Sequence, residues 1–273
     1  MICEMGDLHI YYETRGEGNA VLAIHGFGID HHVMTGCMEP IFASRVGWKR
    51  IYFDLPGMGR TRAPRWLNVA DQMLDVIIEF SENIIPDEQF LVAGESYGGY
   101  LARGLVRSIP ERLKGVLLIC PVVIADRKRR DLPPRQIFVR DESFLASIAS
   151  NDQKQLFERV LVVQDKSRWD RFAQDIVPGM NTKDEAFLKR FEKCGYSFSF
   201  EVDQLSHPFD RPSLILVGRQ DASVGYRDSL QIAANYSRGT VAILDRAGHG
   251  LEVEQEIVFN CLVNEWLDRV EEV

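Results

Sequence analysis

"FLVAGESYGGYLARGLV", residues 90–106, places a serine between two glycines at the point where an apolar run gives way to a helical one. Residues 90–95 are short, apolar and aromatic-rich, as a buried strand requires. From Tyr97 onward the apolar positions recur four apart, at Tyr97, Leu101, Leu105 and Ile109. This predicts a helix over 97–108 with one buried face and with Arg103 and Arg107 on the other. Between the two elements, Gly94-Glu95-Ser96-Tyr97-Gly98 fits a G-x-S-x-G turn, whose strained backbone presents the serine hydroxyl while side chains two residues before and after it would clash. The helix that follows aims its first N–H groups and its positive end at the same point, where an oxyanion would form, and Tyr97 N–H is one expected donor.

Outward from this turn, apolar runs alternate with helical stretches. Strands are expected at 8–14, 20–26, 49–54, 90–95, 115–120, 213–218 and 240–244, and helices near 31–45, 68–83, 97–108, 224–237 and 253–270. That alternation is the pattern of a mostly parallel sheet with helices on both faces. Residues 125–207 break it. They open with the charged run "DRKRRDLPPRQ" and continue through helical segments without a convincing strand. Phe144, Phe157, Trp169, Phe172, Phe187 and Phe191 are too many aromatics for a disordered linker, because ordering a segment requires buried apolar surface to offset the lost entropy. A helical lid over the sheet is expected.

The chain has 273 residues, 45% hydrophobic and 26% charged, with a net charge of -8. Phosphate recognition rests on an excess of Lys and Arg that is missing here, so nucleic acid is not an expected partner and a small-molecule substrate is. Neither a secretory signal nor a membrane span is evident. Five scattered cysteines, Cys3, Cys37, Cys120, Cys194 and Cys261, form no C-x-x-C pair, so reduced thiols and a cytoplasmic location are expected. No nucleotide, flavin or metal motif is present, and no cofactor is expected.

A serine hydroxyl needs a base, and the base needs a carboxylate to set its tautomer. His249, in "LDRAGHGLEVE" after a late strand, sits between Gly248 and Gly250, which leave its ring unobstructed. His207 and His9 are poorer candidates for a mobile base. His31 and His32, being consecutive, argue against a shared metal. Asp221, in "LILVGRQDASVG", lies just past a buried strand at the sheet edge where such folds place their sites, with Asp126 its main rival and Asp245 a weaker one. The second oxyanion donor is expected in "LAIHGFGID", at Phe27 N–H between Gly26 and Gly28, with His25 structural. "DLPGMGRT", residues 54–61, is expected to be a structural turn.

The ordered set "HGFG", "DLPGMGRT", "GESYGG", "GRQD" and "GHG" resembles the α/β-hydrolase fold superfamily, in the type carrying a lid after the sixth strand. The resemblance covers nearly the whole chain. It implies a catalytic triad of Ser96, Asp221 and His249, an oxyanion hole at Phe27 and Tyr97, a core of 1–124 and 208–273, and a lid of 125–207. The implied activity is that of a serine hydrolase cleaving a small carboxylic ester through an acyl-enzyme. Amides, thioesters, carbon–carbon bonds of vinylogous diketones, and a non-catalytic ligand-binding role that retains the triad stay open, since a fold does not set its substrate.

Overall fold

The computed structural model describes residues 1–272. Strand β1 (Ile2–Met5) and β2 (Leu8–Arg15) form an antiparallel pair, and β2 pairs antiparallel with β4 (Trp48–Phe53). The pairings among β3 (Asn19–Ile24), β4, β5 (Phe90–Glu95) and β6 (Leu113–Ile119) are all parallel. Two short strands, β7 (Val139–Arg140) and β8 (Val163–Gln164), pair apart from this sheet, and β9 (Ser213–Gly218) and β10 (Gly239–Leu244) complete it. The spatial order is β1-β2-β4-β3-β5-β6-β9-β10.

Burial on both faces explains the unbroken apolar runs of the central strands, since helices cover a parallel sheet on each side. Leu22 sits in register with Ile51 and Val92, and Leu117 with Ala93 and Leu214, so the middle of the sheet is a continuous aliphatic layer. Helix α1 (His32–Phe42) packs with the C-terminal helix, and α2 (Ala70–Ile84) with α3 (Tyr97–Ser108), giving two helical layers. From β3 the chain turns to one side to form β4 and then crosses to the other to form β5. This reversal opens a crevice at the carboxyl ends of β3 and β5, the edge where open α/β sheets bind ligands.

Between β6 and β9 lie α4 (Glu142–Ser147), α5 (Asn151–Val160), α6 (Lys166–Asp175), α7 (Val177–Thr182) and α8 (Glu185–Cys194). Asp141, Asp165 and Asp184 start α4, α6 and α8 by accepting backbone N–H bonds from Phe144, Arg168 and Phe187, which satisfies donors that helix starts leave open. The aromatics of this region divide between two places. Phe157 and Phe172 form a small separate cluster with Leu145, Leu161 and Val253, flanked by Phe144 and Trp169, whereas Phe187 and Phe191 join the main core.

Several expectations are corrected. The pair β7–β8 shows that residues 125–207 do hold strand structure, in pieces of two residues too short to leave a periodic signal. β1 is an additional strand, at four residues too short to stand out as a periodic run, that pairs antiparallel with β2. The stretch 224–237 yields only α9 (Arg227–Gln231) and a 3-10 turn over Ala233–Asn235, and the final helical region divides into α10 (Leu251–Glu254) and α11 (Glu256–Glu271). Arg103, expected on an open face, is 1% exposed. It donates to Val122 O at 2.7 Å and pairs through Nε with Asp203 at 2.9 Å, because residues 196–205 cover that side of α3.

Candidate active site

Ser96 is the residue between β5 and α3, with φ 52° and ψ -112°, a conformation that L-residues seldom adopt. Two backbone bonds impose it: Ser96 N–H donates to Ile119 O at 2.9 Å, and Ser96 O accepts from Val122 N–H at 2.9 Å. A Cβ on Gly98 would lie 2.1 Å from Ile24 O, and one on Gly94 2.4 Å from Gly98 O, so the turn closes only with glycine at both positions. Strain of this kind persists where surrounding structure over-determines it, commonly at functional sites.

The structure brings together the three side chains singled out from sequence. Ser96 Oγ lies 3.0 Å from His249 Nε2, and His249 Nδ1 lies 2.8 Å from Asp221 Oδ2. Asp221 is buried, and its other oxygen accepts from Ser223 N–H and Val224 N–H at 2.8 and 3.0 Å, which locks the carboxylate. His249 N–H donates to Val160 O at 2.9 Å, so the inserted helices hold the histidine loop. The rivals lie elsewhere. Asp126 accepts from Lys128 N–H at a 3-10 turn, and Asp245 faces Arg219 at 3.5 Å.

Gly26 brings the loop after β3 against the serine, since a Cβ there would stand 3.2 Å from Ser96 Cβ. The rings of Phe27 and Tyr97 pack edge to face with centroids 5.5 Å apart. Among the described residues neither backbone N–H has a hydrogen-bond partner, as expected for Tyr97 at a helix start. His25 is buried and ties two turns together, its Nδ1 at 2.7 Å from Gly26 O and its Nε2 accepting from Leu55 N–H at 2.9 Å. Asp54 is also buried and accepts from Arg60 N–H while holding His31 Nδ1 at 2.7 Å, which makes "DLPGMGRT" a braced turn.

The serine and histidine open into a cavity of about 960 Å³ lined by residues of the sheet edge and of α5–α8, Phe172, Ile176 and Leu188 among them. Two carboxyls that sequence reasoning passed over line it as well: Glu95, at the x position of the serine motif, and Glu252, three residues past the histidine. Burial pushes Glu95 up to about 8 and Glu252 up to about 7. For His249, burial favours the neutral ring, but the charge and hydrogen bond of Asp221, with Glu95 and Glu252 behind, outweigh it and raise the ring to about 9.

Two trios of donor atoms fall within 4.8 Å of one another: Asp30, His31 and His32, and Cys120, Asp221 and His249. The rings of the consecutive histidines His31 and His32 lie 4.3 Å apart. In each trio the imidazole Nδ1 atoms already face carboxylates, at 2.7 Å for His31, 2.9 Å for His32 and 2.8 Å for His249.

Fold and site together define the class. The chain belongs to the alpha/beta hydrolase fold family, whose profile matches residues 19–251. It is 28% identical over 161 residues to the pimeloyl-[acyl-carrier protein] methyl ester esterase of Shewanella woodyi, an alignment spanning 58% of this chain and 56% of that protein. It is 24% identical to the enzyme of the same name from Legionella pneumophila strain Corby, over 95% of this chain and all of that one. Among solved structures, an alpha/beta superfamily hydrolase from Oenococcus oeni PSU-1 superposes with a TM-score of 0.88 at 30% identity, covering 96% of both chains.

Proposed function

We propose that this chain is a serine esterase acting on a small carboxylic ester, with Ser96 as nucleophile, His249 as general base and acid, and Asp221 as the carboxylate that orients the imidazole. The observation that carries this is the unbroken hydrogen-bonded series from Ser96 Oγ through His249 to Asp221, at 3.0 and 2.8 Å, ending in the cavity. Ser96 Oγ attacks the ester carbonyl carbon as His249 Nε2 takes its proton. Phe27 and Tyr97 N–H groups donate to the carbonyl oxygen as it becomes negative. The imidazolium, stabilised by Asp221, then protonates the departing alkoxide. Water, deprotonated by the same nitrogen, releases the acid from the acyl-enzyme.

The segment 125–207 acts as a lid in this proposal, its helices covering the sheet edge above Ser96, with 1–124 and 208–273 as the hydrolase core. A reducing, cytoplasmic setting suits the five unbridged cysteines. Esters are preferred to amides and carbon–carbon bonds because the curated relatives are named for a methyl ester. The methyl ester of a carrier-borne acyl chain therefore belongs in the first substrate panel.

The test is intact-mass analysis after treatment with a fluorophosphonate, followed by peptide mapping. A single adduct on Ser96, absent from Ser96→Ala, is expected, with hydrolysis of esters outpacing thioesters and amides of the same acyl group. Folded protein that takes up no reagent, or takes it up elsewhere, would sink the proposal and favour a ligand-binding role.

A further inference from the structure

Two carboxyls in the cavity wall have no part in the series Ser96–His249–Asp221. Glu95 is 5% exposed and Glu252 3% exposed, and in each the Oε2 atom is buried with no hydrogen-bond partner among the described residues. Glu95 Oε1 lies 3.6 Å from His249 Nε2, so this carboxyl stands beside the atom that handles the proton. Among the described residues no lysine or arginine reaches ion-pairing distance of either group. Glu95 faces His249 and the backbone N–H of Gly26, with Asp221 and Glu252 beyond; Glu252 faces its own backbone N–H, His249 and Asp175, with Arg171 further off, and in both burial outweighs these supports. The thiols of Cys37 and Cys120 and the hydroxyl of Tyr196 complete the titratable surroundings.

A buried carboxyl with no lysine or arginine partner tends to keep its proton, because removal from water penalises the charged form, and at Glu95 this burial outweighs the opposing charge of the His249 ring. The protonated group is an O–H donor, and a donor left without an acceptor in a cavity is unfavourable. Burial holds both groups neutral into the range where ordinary carboxyls are ionised, which agrees with the geometry. The other way to satisfy them, a cationic ligand over two carboxylates, meets opposition at the entrance. There the exposed basic side chains, Arg127, Lys128 and Lys193 among them, outnumber the rim acids Asp126, Glu185 and Glu192.

We propose that Glu95 and Glu252 form an acceptor-binding subsite beside the nucleophile. Their carboxyl O–H groups donate to an oxygen on the substrate's acyl group near the scissile carbonyl, whether keto, hydroxyl or carboxylate. The enzyme thereby selects oxygenated acyl esters over plain alkanoyl esters. This deepens the esterase proposal and rests on it for the position of the scissile bond.

The test has two arms, so that the subsite and the nucleophile are judged separately. In the first, kcat/KM is measured for hexanoyl, 3-oxohexanoyl, 3-hydroxyhexanoyl and 6-aminohexanoyl esters of one alcohol. The wild type near pH 6 is expected to favour the oxygenated esters over hexanoyl by about 10-fold or more, the size of one hydrogen bond made in place of one lost. Glu95→Leu and Glu252→Leu should bring that ratio close to one while Ser96 still takes the fluorophosphonate. The double variant Glu95→Gln/Glu252→Gln, which keeps donors that cannot ionise, should hold the ratio up to about pH 9 where the wild type loses it. An unchanged ratio in both leucine variants, or preference for the amino ester, overturns the subsite.

In the second arm, Ser96→Ala is titrated calorimetrically with 3-hydroxyhexanoate and with hexanoate. Tighter binding of the hydroxy acid, by about the same factor, is expected even if no ester is turned over. Equal binding of the two acids overturns the subsite, whereas absent turnover and labelling with the binding difference intact overturns only the role of Ser96.

Discussion

At Ser96 a residue that would ordinarily avoid a φ of 52° is held there by bonds to Ile119 O and from Val122 N–H, and its hydroxyl is thereby set 3.0 Å from His249 Nε2. Groups that act as one unit lose their effect together. Ser96→Ala and His249→Ala are each expected to lower kcat by on the order of 10⁴ to 10⁶, with the double variant little worse, as steady-state kinetics on the best ester will show. Additive losses would argue for separate roles. The second residue-scale expectation concerns protons. His249 is raised to about 9, partly by Glu95, and only the neutral ring accepts the serine proton. kcat/KM therefore rises with pH through the coupled titration of the pair. Glu95→Gln removes one source of the upward shift, so the rising limb of the pH profile should move to lower pH; a limb that stays in place or moves up contradicts the coupling.

The elements carry their own constraints. Strand β5 and helix α3 meet so closely that Gly98 runs against the carbonyls of Ile24 and His25. Gly98→Ala must push β3 away from the turn, and loss of fluorophosphonate labelling is expected even where circular dichroism still reports a folded chain. Full labelling would show that the turn yields without cost. Helix α3 also bears Arg103, which fastens both ends of the inserted region: Val122 O and Val123 O just after β6, and Asp203 before β9. Asp203 keeps some solvent contact, so breaking the pair costs less than for two fully buried ions, and Arg103→Met is expected to cost on the order of 3 kcal/mol. Urea unfolding measures this; a loss within about 0.5 kcal/mol would place the region's anchorage elsewhere.

For the whole molecule the decisive quantity is the balance of buried acids. Glu95, Glu252 and Glu254 have raised folded-state values of about 8, 7 and 7, so the folded chain holds their protons more tightly than the unfolded one. Their effect is to withdraw stability as pH climbs from the ordinary glutamate range towards those values. His249 acts in the same direction, since the stabilisation of its imidazolium is complete below the unfolded histidine value and is lost as pH passes about 9. Glu13, Glu39 and Asp54 have the opposite sign. Hydrogen bonds and neighbouring cations overcome their burial and keep them low, so their contribution disappears as pH falls through the acid range. Stability is expected to peak at about pH 5, and Glu252→Gln should gain on the wild type in melting temperature as pH rises from the ordinary glutamate range to about 7, with the difference level above that. A difference that does not change with pH would mean that Glu252 does not titrate in the folded chain.

How much of this was legible without coordinates follows from the range over which each feature is decided. The serine turn is local: Gly94, Ser96 and Gly98 answer to steric contacts within one strand–turn–helix, and the buried strands announce themselves by apolar runs of fixed length. Local sequence therefore specifies the sheet of alternating strands and helices, the position of the serine between β5 and α3, and the loops that approach it. Position just past a buried strand favours Asp221 over Asp126 and Asp245 in the sequence, but which carboxylate meets His249 depends on where β9 delivers its loop. Arg103 became interior only because residues 196–205 fold over α3, a contact about a hundred positions away. The presence of Glu95 and Glu252 with His249 in the wall of one cavity, and the division of the inserted aromatics between two clusters, likewise arise from long-range packing that local periodicity does not encode.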